Sequence, residues 1–117
     1  MNSFSAPAYD PNPGSDYYHL RIGDDEVLMK LRKDKLKLVI GTHFEKFIMR
    51  KEEKKPIVIS GEIYLDRDPE HFEYALDYIR NDFEWDIIKN EALDYKVRNE
   101  IRFWEFPEPP TQYIKEL

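Results

Sequence analysis

Three neighbouring residues, Asp68, Glu70 and His71, have side chains suited to acid–base chemistry. An imidazole beside two carboxylates can act as a general base, because the carboxylates adjust its pKa. All three residues fall in the first turn of one predicted helix, however. There, Asp68 is suited to cap the helix by accepting backbone hydrogen bonds, and Glu70 interacts favourably with the helix dipole. The pattern therefore favours a structural role, and a small hydrolase or metal-dependent enzyme is the weaker alternative.

The other residues of catalytic type form no recognisable motif. His19 falls on the polar side of a predicted strand and His43 just inside a short predicted helix, so both are expected to be exposed. The sequence has no cysteine, which excludes disulfides, thiolate nucleophiles and zinc sites built on sulfur. It also lacks a glycine-rich phosphate loop, a zincin helix, a nucleophile elbow and a calcium loop. We expect neither catalysis nor a cofactor.

The charge of the chain argues against a nucleic-acid partner. Its formal net charge is -6 over 117 residues, whereas affinity for a phosphate backbone comes from clustered lysine and arginine. Apolar runs are far shorter than the roughly 20 residues that cross a bilayer. We therefore expect one soluble, cytoplasmic domain that binds neither nucleic acid nor membrane.

Two groups of residues are better suited to protein contacts. Asp66, Arg67 and Asp68 alternate in charge at a strand end. They can form a surface ion pair worth at most about 1 kcal/mol, or Arg67 can reach a carboxylate of a neighbouring subunit. Tyr74 and Tyr78 lie one helical turn apart and offer the stiff, partly polar surface that is enriched at interfaces. The alternative for the tyrosines is that a second layer of the same domain covers them.

Periodicity and turn residues predict the elements that position these groups. Residues 1–16 and 107–117 are expected to be a flexible leader and tail, since they are rich in proline and have no periodicity. The elements predicted between them are a hairpin over residues 17–31, a short helix capped by Thr42, two short strands joined by Ser60 and Gly61, a helix from Pro69 and a last helix capped by Asn90.

The helix from Pro69 has the clearest apolar pattern. One stripe is formed by residues at i, i+3, i+4 and i+7, namely Phe72, Ala75, Leu76 and Ile79. Such a stripe must pack against another layer. Because strands and helices alternate along the chain, we expect a mixed α/β or α+β domain.

Residues 63–80, with the sequence IYLDRDPEHFEYALDYIR, closely resemble the strand-to-helix signature of the potassium-channel-tetramerisation type of BTB/POZ domain. In that family an aromatic strand end, an Asp-Arg-Asp-Pro turn and a helix of the pattern Phe-x-Tyr-x-Leu-x-Tyr-x-Arg occur in this order. Two weaker stretches, residues 20–23 and 100–104, extend the similarity over residues 17–106.

The sequence also departs from the family pattern. Gly23 and Asp24 stand in place of paired glycines, Met29 stands where an aromatic residue is usual, and Ile101 replaces a small residue. The chain is therefore identified as a divergent member of the family.

The resemblance implies a BTB/POZ fold, in which a small cluster of strands packs with helices. It also implies self-association, usually into rings of four or five copies. No cofactor is implied, because the zinc site of some channel relatives needs cysteines. The candidate interface residues are Asp66, Arg67, Asp68, Tyr74, Tyr78 and Arg80.

The function implied by the resemblance is protein–protein interaction and homo-oligomerisation. One such role is that of a soluble adaptor that joins a cullin-3 ubiquitin ligase to its substrates. The alternatives are a fragment serving as the assembly domain of a potassium channel, and a solitary BTB domain that acts as a decoy on the assembly surfaces of longer relatives. A metal-dependent hydrolase using His71 is the least favoured function.

Overall fold

The computed structural model describes residues 9–110, so parts of the predicted leader and tail lie outside the described residues. No helix within residues 9–110 is long and apolar enough to cross a membrane. The elements in chain order are β1 (Tyr17–Ile22), β2 (Val27–Arg32), a 3-10 helix (Lys33–Val39), α1 (His43–Ile48), β3 (Ile57–Ile59), β4 (Glu62–Leu65), α2 (Pro69–Arg80) and α3 (Glu91–Phe103).

The four strands form one sheet with the order β2-β1-β4-β3. β1 and β2 pair antiparallel, which confirms the predicted hairpin, and β3 pairs with β4 in the same way. Parallel pairing of β1 with β4 joins the two hairpins. Parallel pairing needs a crossover connection, which the 3-10 helix and α1 provide. The fold is therefore mixed α+β, as predicted.

The sheet has a buried face and an open face. Tyr18, Leu20 and Ile22 of β1 are buried, as the alternation of the sequence requires. The residues of β1 that alternate with them, Tyr17, His19 and Arg21, lie on the opposite face together with their partners in the other strands. That open face carries Tyr17, His19, Arg21, Leu28, Lys30, Arg32, Ile57, Ile59, Glu62 and Tyr64.

The turn after β1 packs against the beginning of α2. Gly23 has a φ of 76°, a left-handed conformation that glycine adopts without strain. A Cβ atom at this position would lie 2.9 Å from Cγ of Pro69. The amide of Gly23 also donates to the carbonyl of Leu65 at 2.9 Å. The hairpin turn thus fixes the place where β4 ends and α2 begins.

The beginning of α2 confirms the structural role of Asp68. Its Oδ1 accepts hydrogen bonds from the backbone amides of Glu70 at 2.9 Å and His71 at 3.2 Å. His71 Nδ1 lies 3.8 Å from the same oxygen, which is already engaged by the two amides. The predicted stripe of Phe72, Ala75, Leu76 and Ile79 is buried throughout.

Trp104, just after α3, lies in an aromatic cluster that joins three helices. Its ring centroid lies 5.2 Å from that of Phe44 in α1 and 6.1 Å from that of Phe72 in α2. Phe106 extends the cluster, at 5.4 Å from Phe44. Aromatic rings of this size supply much of the apolar area that a small core buries. The cluster holds the end of α3 beside the beginning of α2.

The 3-10 helix is an element that the sequence pattern did not predict. Its buried apolar residues, Leu36 and Val39, are three positions apart and therefore lie on the same side of a helix with three residues per turn. Two residues are too few to establish a period. Leu38 and Ile40 point away from the core and are exposed.

The described ends of the chain contact the domain. Asp10 Oδ2 lies 2.8 Å from Nζ of Lys33. At the other end, Arg98 donates to the carbonyls of Pro109 at 3.2 Å and Pro110 at 3.0 Å. Residues 9–16 and 107–110 therefore make more contacts than a flexible leader and tail would, and the predicted boundaries at residues 17 and 106 stay a prediction.

Candidate interaction surfaces

Arg67 binds a carboxylate of its own chain. Its Nε donates to Oε2 of Glu100 at 3.0 Å, and its Nη2 donates to Oε1 at 2.7 Å. The guanidinium also lies 3.7 Å from the ring centroid of Phe103. This bidentate and stacked geometry suits the planar fork of arginine. Within the single chain the partner of Arg67 is thus Glu100 and not a flanking aspartate, and a contact of Arg67 with a neighbouring subunit stays a prediction.

Glu100 is buried and fully engaged. Its side chain is 4% exposed, and its Oε2 also accepts a hydrogen bond from Trp104 Nε1 at 2.8 Å. A buried carboxylate needs such partners because burial removes it from water. Sequence reasoning named Glu100 only as part of the weaker match over residues 100–104 and gave it no role. The available signal was its place four residues before Trp104, next to the apolar side of the last helix.

The two aspartates beside Arg67 have different roles. Asp68 caps α2, whereas Asp66 is exposed and has no hydrogen bond or ion pair with any residue of the described chain. Asp66 is therefore the carboxylate of this turn that is free to contact another molecule.

Tyr74 and Tyr78 lie in different environments. Tyr74 is 41% exposed, whereas Tyr78 is 4% exposed. The hydroxyl of Tyr78 donates to the carbonyl of Pro107 at 2.7 Å, and its ring contacts Phe83 and Trp85. Burial raises the pKa of Tyr78. The expectation that the same domain covers these tyrosines thus holds for Tyr78, whereas Tyr74 stays exposed.

Arg80 joins the end of α2 to the sheet. Its Nη1 donates to Oδ1 of Asp77 at 2.7 Å, and its Nη2 donates to the carbonyl of Lys30 at 2.5 Å. Lys30 belongs to β2, which lies at one edge of the sheet and pairs with β1 on its other side. Arg80 therefore contacts the outer edge of the sheet of its own chain.

An aromatic groove of about 580 Å³ lies between α1, β3, the end of β4 and the end of α3. We call it the aromatic groove; its apolar wall includes Phe47, Pro56, Ile57 and Phe103, and Asp66 also lines it. Ile57 is 64% exposed. Volume and lining of this kind are typical of sites that accept a ligand or a side chain of a partner.

His43 forms part of the wall of the aromatic groove, and the expectation that it is simply exposed is wrong. Its ring stacks on Trp104 with 5.3 Å between centroids, and its side chain is 29% exposed. Nδ1 lies 2.8 Å from Oε2 of Glu52. This contact holds the loop before β3 against α1. His19 is also partly buried, with Nε2 3.0 Å from Oγ of Ser15.

A half-covered sheet, a groove with an apolar wall and several exposed apolar side chains are features with which a domain can bind other proteins. A sequence model of the BTB/POZ domain, of the potassium-channel-tetramerisation type, matches residues 26–113. The chain therefore belongs to the BTB/POZ domain family, and the resemblance of residues 63–80 is confirmed. Members of this family are protein-interaction and oligomerisation modules. Comparison with curated protein sequences gives no match.

Proposed function

We propose that the chain assembles with copies of itself into a ring of four or five subunits and joins a cullin-3 ubiquitin ligase to its substrates in the cytoplasm. Membership of the BTB/POZ family carries this proposal, since domains of this type typically self-assemble. The proposed activity is binding and not catalysis. In support, the carboxylate nearest to His71 is engaged in capping α2.

Asp66 and Tyr74 are the two candidate interface residues with exposed and uncommitted side chains, so we propose that they contact other subunits or partners. The remaining four candidates, Arg67, Asp68, Tyr78 and Arg80, bind groups of their own chain. Their proposed contribution is to hold the contact surface in shape.

Sedimentation of the purified chain tests the self-association. We expect a mass four or five times that of the 14.2 kDa chain. Tyr74→Ala should weaken the assembly, whereas Tyr95→Ala, which removes another exposed tyrosine, serves as the matched control. A strict monomer at high micromolar concentration would contradict the proposal.

Binding of purified cullin-3 tests the adaptor role separately. We expect the wild-type chain to retain cullin-3 in a pull-down, with heat-unfolded chain as the control for non-specific retention. Absence of binding to a chain that still self-associates would remove the ligase connection and leave the oligomerisation intact.

A further inference from the structure

A cavity separate from the aromatic groove, of about 310 Å³, lies between α2 and the segment that leads to α3. We call it the α2–α3 cavity; its lining includes Tyr74 and Asp77 of α2 and Glu84, Trp85 and Asp86 of the segment. We infer that it binds a partner protein through an arginine side chain on an extended segment of that partner. The inference goes beyond the proposed self-association and cullin-3 binding and depends on neither.

A strained turn places the segment after α2 beside the C-terminal half of that helix. Asp82 and Phe83 have φ values of 55° and 68°, a left-handed conformation that is unfavourable for residues with a Cβ atom. The amide of Phe83 donates to the carbonyl of Tyr78 at 2.8 Å, and Lys35 Nζ lies 2.8 Å from Oδ1 of Asp82. Strain of this kind is concentrated at sites that hold a ligand or switch between states.

The backbone of residues 85–89 is available to a peptide. In the described part of the chain, none of its amides or carbonyls takes part in a hydrogen bond. The segment is anchored by the ring of Trp85, which packs edge-on against Tyr78 and lies 5.0 Å from the guanidinium of Arg98. An extended peptide has donors and acceptors along its backbone and can pair with several of these groups together, which a free small cation cannot do.

The charges that line the α2–α3 cavity leave a negative excess. Asp77 pairs with Arg80 at 2.7 Å, whereas Glu84, Asp86 and Lys89 also line the cavity and have no ion-pair partner within the described residues. Two free carboxylates thus stand against one free ammonium group, which favours a cationic ligand. Because these three groups are exposed, the attraction is modest and decreases with added salt.

An arginine side chain matches this lining better than a lysine does. Tyr74 offers an aromatic face, since it is 41% exposed, and Glu84 and Asp86 offer carboxylates. A planar guanidinium group stacks on aromatic rings and donates two parallel hydrogen bonds to one carboxylate, whereas an ammonium group acts as a point charge. The same combination of stacking and pairing occurs within this chain at Arg67.

Fluorine NMR of the full chain, labelled with 5-fluorotryptophan, tests the site. The chain has two tryptophans: Trp85 lines the α2–α3 cavity, and Trp104 lines the aromatic groove, so each cavity has its own signal. The ligand is an acetylated and amidated peptide with one arginine between alanines. The matched control peptide has citrulline, which has a similar shape and no charge. We expect the arginine peptide to shift the signal of Trp85 alone and to bind about tenfold more tightly than the citrulline peptide.

Two double variants separate the site from a general effect of charge. Glu84→Gln with Asp86→Asn removes both free carboxylates and should weaken binding of the arginine peptide about tenfold. Asp25→Asn with Glu26→Gln is the matched control, because it makes the same change of charge on exposed residues of the turn between β1 and β2. The control should bind as the wild type does. Tyr74 stays unchanged in both, since it is also a candidate for contact between subunits.

Four results would each overturn the inference. The signal of Trp85 could stay in place at about 10 mM arginine peptide, well above the dissociation constant of even a weak complex, or the signal of Trp104 could move instead. The citrulline peptide could bind as tightly as the arginine peptide, or the two double variants could weaken binding equally. None of these results bears on the proposed self-association or on cullin-3 binding, which sedimentation and the pull-down of the wild-type chain measure separately.

Discussion

Replacement of Arg67 by methionine tests whether the contact with Glu100 is a structural element of the single chain. Methionine keeps much of the length and apolar area of the side chain but removes both guanidinium hydrogen bonds. The carboxylate of Glu100, at 4% exposure, would keep one hydrogen bond, from Trp104. Loss of one partner of a buried ion pair typically costs roughly 3–5 kcal/mol, because the other charge stays buried and uncompensated.

The reverse substitution should cost less. Glu100→Gln leaves a guanidinium whose side chain is 30% exposed, so Arg67 can turn toward water. The glutamine can still accept the hydrogen bond from Trp104. We expect a loss of about 1–2 kcal/mol. In the double variant the buried carboxylate is absent, and its stability should lie close to that of Glu100→Gln alone. The two single effects are therefore not additive.

Urea unfolding at one fixed chain concentration measures these differences, since the stability of an oligomer depends on concentration. With an m value of about 1.5 kcal/mol/M, a loss of about 4 kcal/mol lowers the midpoint by roughly 2.7 M. Arg67→Met could instead lower the free energy of unfolding by less than about 1 kcal/mol and dissociate the assembly. That result would refute a structural role of Arg67 within the single chain. If Arg67→Met and Glu100→Gln lower the free energy of unfolding equally, the expected difference between them, which follows from the deeper burial of Glu100, would be refuted.

Two further substitutions test local features. Asp68→Ala removes the cap of α2 and should lower the free energy of unfolding, measured with urea, by about 1 kcal/mol. If the substitution changes the free energy of cullin-3 binding by more than that, Asp68 is also a contact residue. Burial raises the pKa of Tyr18 to about 12, and Asp10 and Glu45 add negative charge nearby. The folded state therefore holds the hydroxyl proton of Tyr18 to a higher pH than the unfolded state does. The resulting stabilisation is complete below the ordinary pKa of 10 and is lost as the pH rises toward 12. The loss is about 3 kcal/mol. Tyr18→Phe should remove that part of the alkaline destabilisation, and identical pH profiles of wild type and variant would contradict the account.

Local signals explain most of what the sequence predicted. The caps at Thr42, Asp68 and Asn90 use side chains that accept hydrogen bonds two or three residues further on, so their chemistry is visible in a short stretch of sequence. The turn at Ser60 and Gly61 has positive φ at both residues, which matches the type I′ geometry of two-residue hairpins. These features do not depend on the rest of the fold.

Contacts between distant segments were not predictable in the same way. Arg67 and Glu100 are 33 residues apart in the sequence, and nothing in the turn itself indicates which carboxylate the guanidinium reaches. Tyr74 and Tyr78 occupy one helix and have similar chemistry. They differ because Phe83 and Trp85 lie over the second tyrosine only. Burial of this kind is decided by the path of the chain after the helix.

The hydrogen bond from Arg80 to the carbonyl of Lys30 has a consequence for solubility at high concentration. An uncovered edge strand is a template on which further strands can add, and growth of that kind leads to fibrils. Arg80 occupies an acceptor on the β2 edge, and charged side chains flank it. The opposite edge, β3, is three residues long and follows Pro56, which has no amide hydrogen to donate. Both edges thus resist open-ended strand addition, and association is left to side-chain surfaces that can form a closed assembly of limited size.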